Sequence, residues 1–88
     1  MNPYKEILRK FFSEYVGALR KRRGLTQEQM VEKLRITGRA YSDLERGIYC
    51  FSAVALVFLL LMLEEHELKE LLSSLREEIA KVEDREVA

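Results

Sequence analysis

The stretch LTQEQMVEKLRITGRAYSDLERG, residues 25–47, decides how this chain folds. Thr26 and Gln29 have capping-box spacing: the hydroxyl takes the N3 amide, and the N3 side chain returns to the cap amide. Leu25 and Met30 flank that cap at the spacing of a hydrophobic staple. Met30, Val31 and Leu34 then give a short helix one apolar face. The pattern breaks at Arg35-Ile36-Thr37. Thr37 caps a further helix over 38–46, with Ile36 and Tyr41 as its staple pair, and Gly47 closes it. Tyr41 and Leu44 share the apolar face with Ile36 and belong to the core.

The flanks read in the same way. Over 4–19, Tyr4, Ile7, Leu8, Phe11, Phe12, Tyr15, Val16 and Leu19 recur at three- and four-residue steps, one stripe of an amphipathic helix. Asn2 is its cap and Pro3 its first residue, where a missing N–H costs nothing. The cations at 20–23 suit the negative end of that helix, and Gly24 supplies a left-handed stop. Downstream, Ser52 caps a helix over 53–63, with Phe51 and Leu56 as its staple. The uncharged run 51–63 is 13 residues long. A spanning helix needs about 20 apolar residues, so this run reads as a helix buried on most sides, with no membrane role. From 64 to 86, Leu68, Leu72, Leu75, Ile79 and Val82 alternate four- and three-residue steps, an a/d seam with Leu71 beside it.

The expected fold is all-α: a bundle of four helices over 1–63, then a longer amphipathic helix over 64–88. An 88-residue chain buries a modest core. The seam is therefore assigned to dimerisation in preference to packing on its own domain. Cys50 is the only cysteine, which excludes an internal disulfide and fits a reducing, cytoplasmic setting; it reads as a small hydrophobe. The amphipathic, charged N-terminus does not read as a secretory signal. The net charge is zero but unevenly spread. Residues 1–50 hold 11 Lys and Arg against 6 Asp and Glu, whereas 51–88 hold 4 against 9. A basic half suits a polyanion, and an acidic half suits another task.

Two capped helices joined by a three-residue turn form a helix-turn-helix, whose second helix lies in the major groove while the first crosses the backbone. Residues 25–47 resemble the helix-turn-helix family of the Cro and lambda-repressor type (Xre). The resemblance rests on Thr26, Gln27, Leu34, Ile36, Thr37, Tyr41, Ser42, Leu44, Glu45 and Gly47, and extends over about residues 4–63. Two positions depart from the family: Val31 replaces an Ala where the helices touch, and Arg35 replaces the Gly of the turn. If that turn needs a positive φ, Arg35 stores strain of order 1 kcal/mol or more. The resemblance implies a lambda-repressor-like bundle that binds double-stranded DNA. It also implies that Gln27 touches the DNA backbone and braces a reading side chain, and that Glu45 pairs with Arg20.

The residues themselves suggest roles. Free N–H groups at Thr26 and Gln27 suit a phosphate oxygen. The first turns of the following helix project Thr37, Gly38, Arg39, Ala40, Ser42 and Asp43. Arg39 is the best base reader, since its fork matches guanine O6 and N7. Asp43, one turn on, suits a cytosine amino group or the orientation of Arg39. Gly38 offers no side chain, which leaves more of the recognition to DNA shape. Ser42, Arg46, Tyr49, Arg22 and Arg23 are candidate backbone contacts.

The chain carries no phosphate loop, no Cys/His metal cluster and no catalytic spacing around its single His66, which reads as solvated; no enzyme, cofactor or metal is expected. The expected function is a sequence-specific regulator, by default a repressor, that binds a near-palindromic operator as a homodimer. The competing reading is an antitoxin-like or anti-regulator interaction protein that holds a protein partner through residues 51–88.

Overall fold

The computed structural model describes residues 2–87, with side chains through Asp84; residues 1 and 88, the outer ends of the two expected segments, lie outside them. The described chain is five helices and no strand: α1 (Pro3–Arg22), α2 (Gln27–Leu34), α3 (Gly38–Glu45), α4 (Ala53–Leu61) and α5 (Glu65–Val87). No helix among the described residues is long and apolar enough to cross a membrane.

Local chemistry sets each start. The Asn2 side chain accepts from the Tyr4 and Lys5 amides at 2.9 and 3.4 Å. Thr26 and Gln29 form a complete capping box at α2. The Thr37 hydroxyl accepts from the Ala40 amide, and the Ser52 hydroxyl from the Ala55 amide, each at 3.1 Å. Such caps stabilise a helix by about 1 kcal/mol each, which is not enough for helices as short as α2 and α3 to stand alone. Packing supplies the rest. Val16, Leu19, Met30, Leu34, Tyr41, Leu59, Leu63 and Leu71 form one buried cluster, drawn from α1 to α5 and the turn after α4. Around it, α3 packs on α1 and α2, α4 on α2, and α5 on α1.

Two stops constrain the backbone. Gly47 has φ +76, and a Cβ there would meet the Ser13 Oγ at 3.3 Å. Close approach and left-handed geometry therefore both select glycine. The same corner is tied down by the Ser13 hydroxyl, which donates to the Glu45 carbonyl at 2.7 Å. At the end of α2, Arg35 adopts φ 57 and ψ 44, a left-handed conformation on a residue with a Cβ.

Two elements differ from the sequence-based expectation. α4 ends at Leu61 and is open along one side: Val54, Val57 and Leu61 remain 60, 51 and 71% exposed. Its sequence AVALVFLLL is apolar all round, so it carries no periodicity that would identify the outward face. The α5 stripe is divided. Leu71 and Val82 are buried in the chain, Leu68 and Leu75 are partly buried against the core cluster, Ile79 is half-buried, and Leu72 is 48% exposed.

Candidate nucleic-acid interface

The three-residue turn Arg35-Ile36-Thr37 sets α3 against α2, with Tyr41 and Leu44 facing inward. Thr37, Gly38 and Arg39 are exposed, and Ala40, Ser42 and Asp43 are half-buried along the same helix. Arg39 forms no ion pair among the described residues, with Asp43 or any other carboxylate. Both side chains line an open groove of about 350 Å³ beside α3, together with Thr37, Tyr49, Cys50 and Ser52. A fork of five N–H donors thus stands free beside a carboxylate, the donor and acceptor set that base edges demand. A Cβ on Gly38 would meet nothing within 4 Å, so the space beside the first residue of α3 is open. Arg46 is exposed at the end of α3, without an ion pair among the described residues.

The start of α2 differs in one respect from the expectation. The Thr26 amide is not free: it donates to the Gln29 Oε1 at 2.8 Å, the returning half of the capping box. Met30 bonds back to the Thr26 carbonyl, and Gln29 to the Thr26 hydroxyl. Gln27 and Glu28 are the first-turn residues whose amides have no acceptor among the described residues, which leaves those N–H groups open to an anion. Gln27 is exposed.

Helix α3 is braced from behind. Arg20 on α1 donates through Nε and Nη2 to both Glu45 carboxylate oxygens, at 3.1 and 2.8 Å, and through Nη1 to the Leu25 carbonyl. Both side chains are largely buried. The Arg20 guanidinium holds the Glu45 carboxyl below its ordinary range. The Tyr41 hydroxyl is buried beside this pair with no hydrogen bond of good geometry, and burial raises its pKa. One bidentate pair therefore joins the end of α3 to α1 and to the loop that enters α2.

A second ionic cluster had no counterpart in the sequence reading. Glu67, in the first turn of α5, is 8% exposed. Its carboxylate accepts from Arg22 Nη2 at 2.8 Å, from Arg23 Nη2 at 2.5 Å and from the Glu64 amide at 3.0 Å. These bonds, the amide first, hold its pKa at about 2. Arg22 and Arg23 are thus engaged within the chain. The available signal was local: Glu67 stands three residues after Glu64, the spacing of a returning cap side chain. His66 is exposed and lies 3.6 Å from Glu64, as a solvated histidine would.

A family model described as a helix-turn-helix domain matches residues 12–71. The chain belongs to this helix-turn-helix family. No curated protein and no solved structure matches it. The match spans α2 and α3 whole, together with most of α1, all of α4 and the first turns of α5. The matched segment therefore includes Glu67 and its anchorage to Arg22 and Arg23.

Proposed function

We propose that this helix-turn-helix protein is a sequence-specific transcriptional regulator of the Cro and lambda-repressor type, acting as a repressor by occupying its operator. The carrying observation is Arg39: exposed, without an ion pair among the described residues, at the start of a helix fixed from behind by Arg20 and Glu45. In this reading α3 enters the major groove and Arg39 reads a guanine, with Asp43 on a neighbouring edge. Gln27 and the first amides of α2 hold a phosphate. Thr37, Ser42 and Arg46 flank the contact. A DNA selection experiment tests this directly. Wild-type protein should return a near-palindromic consensus, and Arg39→Ala should relax one position in each half-site by about 1–3 kcal/mol. An unchanged preference in Arg39→Ala would remove the reading role from that residue.

The protein binds as a homodimer in this proposal, which places two recognition helices about 34 Å apart. The apolar side chains that support a second copy are Leu72 and Ile79 on α5, with Val54, Val57 and Leu61 on α4. Of the other seam residues, Leu68 and Leu75 contribute their remaining exposed area, while Val82 serves the packing of its own chain. The α4 stripe also supports a second reading, in which this face holds a protein partner, as an antitoxin does. Sedimentation of the isolated protein separates the two: a self-associating regulator is a dimer alone, and a partner-holding protein is a monomer.

A further inference from the structure

Four successive cations, residues 20–23, end α1 and lead into the reading unit. Arg20 is committed to Glu45. Arg22 and Arg23 converge with the Glu64 amide on one carboxylate, that of Glu67. Two guanidiniums and a backbone N–H around a single anion are the donor set that binds a phosphate. Here a side chain of the same chain fills it. The cluster retains a net positive charge, two cations for one anion, and Arg22 is still 54% exposed on its outer side. Arg23 is four residues from Gln27, whose amide faces the DNA backbone in the proposed docking. Four residues of chain span at most about 14 Å, so the backbone of Arg23 lies within that reach of Gln27.

We propose that Arg22, Arg23 and the Glu64 amide form an anion site that Glu67 occupies in the free protein, and that a DNA phosphate competes with Glu67 for the two guanidiniums. This inference rests on the DNA-binding reading and adds a coupling to it. The arginines cannot serve both anions fully. DNA binding therefore loosens the hold on α5, and a hold on α5 weakens DNA binding by the same factor. Glu67 is an internal phosphate mimic that keeps non-specific affinity low.

The test is a salt titration with a random-sequence 20-base-pair duplex, read by fluorescence anisotropy, on wild type, Glu67→Gln, the Arg22→Ala/Arg23→Ala double variant and the triple variant. Glu67→Gln keeps the side-chain shape and removes the competing charge. Its slope of log Kobs against log salt is expected to steepen by about 1 to 2, since each added phosphate contact contributes roughly 0.9. Its low-salt affinity is expected to rise about tenfold. In the background lacking both arginines, the same substitution should change neither quantity. An unchanged slope and affinity in Glu67→Gln, or an equal change with and without the arginines, overturns the proposal. A wild type that binds no duplex at low salt instead overturns the DNA-binding reading itself. A measurement on the unmodified protein covers the case in which Glu67→Gln unfolds. NMR signals of the Arg22 and Arg23 guanidinium groups should move on adding duplex, while those of Arg20, locked to Glu45, stay. Signals of Arg22 and Arg23 that do not move overturn the competition.

Discussion

The Arg35 guanidinium lies 4.0 Å from the centroid of the Phe58 ring, so the residue at the turn between α2 and α3 is tied to α4. Arg35 also carries the one positive φ on a non-glycine residue among those described. The two facts belong together. A Cβ at this backbone angle costs about 1 kcal/mol or more, and an exposed cation over a half-buried ring returns about 0.5–1 kcal/mol. The strained turn is held by a contact that a glycine cannot make.

Two substitutions separate these effects. Arg35→Ala keeps the strain and loses the ring contact, so it should destabilise by about 0.5–1 kcal/mol. Arg35→Gly loses the contact and the strain together and gains chain entropy when unfolded, so it should lie within about 0.5 kcal/mol of wild type. Urea midpoints measure both. An alanine variant more stable than the glycine variant would mean that the turn carries less strain than the chain entropy glycine gains on unfolding.

Glu45 joins α3 to α1 through a bidentate pair that is mostly buried. Removing one partner leaves the other charge poorly solvated. Glu45→Ala and Arg20→Ala should each therefore cost about 2–3 kcal/mol, somewhat less than a fully buried pair. The double variant should cost clearly less than the sum, because neither charge is then stranded. Additive losses would show that the two side chains act independently.

Acid should act on this fold through Glu45 and Glu67. Both carboxyls titrate below their ordinary value in the folded chain, Glu67 at about 2. A depressed folded pKa adds stability above the unfolded pKa, and that stability fades as pH falls toward the folded value. Stability should be flat around neutrality and decline progressively below about pH 4.5, where unfolded glutamates titrate. Glu67→Gln should be less stable at pH 7 and decline less steeply in acid. Urea unfolding followed over a pH series gives both curves, and parallel curves would exclude Glu67 as a source of the decline.

Self-association makes a further distinction. Leu72→Lys, Ile79→Lys and Val57→Lys place a charge on outward or half-outward positions. If a second copy covers them, each should yield monomers by sedimentation, with operator binding weakened in step. Val82→Lys should unfold the protein instead, because that side chain is buried within its own chain. Lysine variants that sediment as wild type and still bind a full site normally would place the dimer contact elsewhere.

The starts of the helices were legible in the sequence because a cap is a local contract: Thr26 with Gln29, Thr37 with Ala40 and Ser52 with Ala55 lie three residues apart. The apolar stripes were legible for the same reason. What covers a stripe is not local. Leu71 and Val82 lie inside while Leu72 lies outside, and only the docking of α5 on α1 decides which. α4 has no polar face to show its orientation. Glu67 was least visible of all, since its arginine partners stand 44 and 45 residues away. The occupied Thr26 amide was implicit in the capping box, whose returning Gln29 uses the donor that a phosphate would need.

Gly38 offers a test of the proposed reading surface by addition. It lies at the first position of α3 without a left-handed backbone angle, and a Cβ there would project into open space. Any L-residue is therefore tolerated. Gly38→Ala should stabilise the fold by about 0.4–1 kcal/mol, mainly by restricting the unfolded chain. Gly38→Gln adds an amide beside Arg39, with the donor and acceptor that match adenine N7 and N6. A selection experiment with this variant should return a consensus sharpened at one further position in each half-site, and that position should be an adenine. A variant that is stabilised but returns the wild-type consensus would show that the first position of α3 does not face a base edge, which would also move Arg39 away from the groove floor.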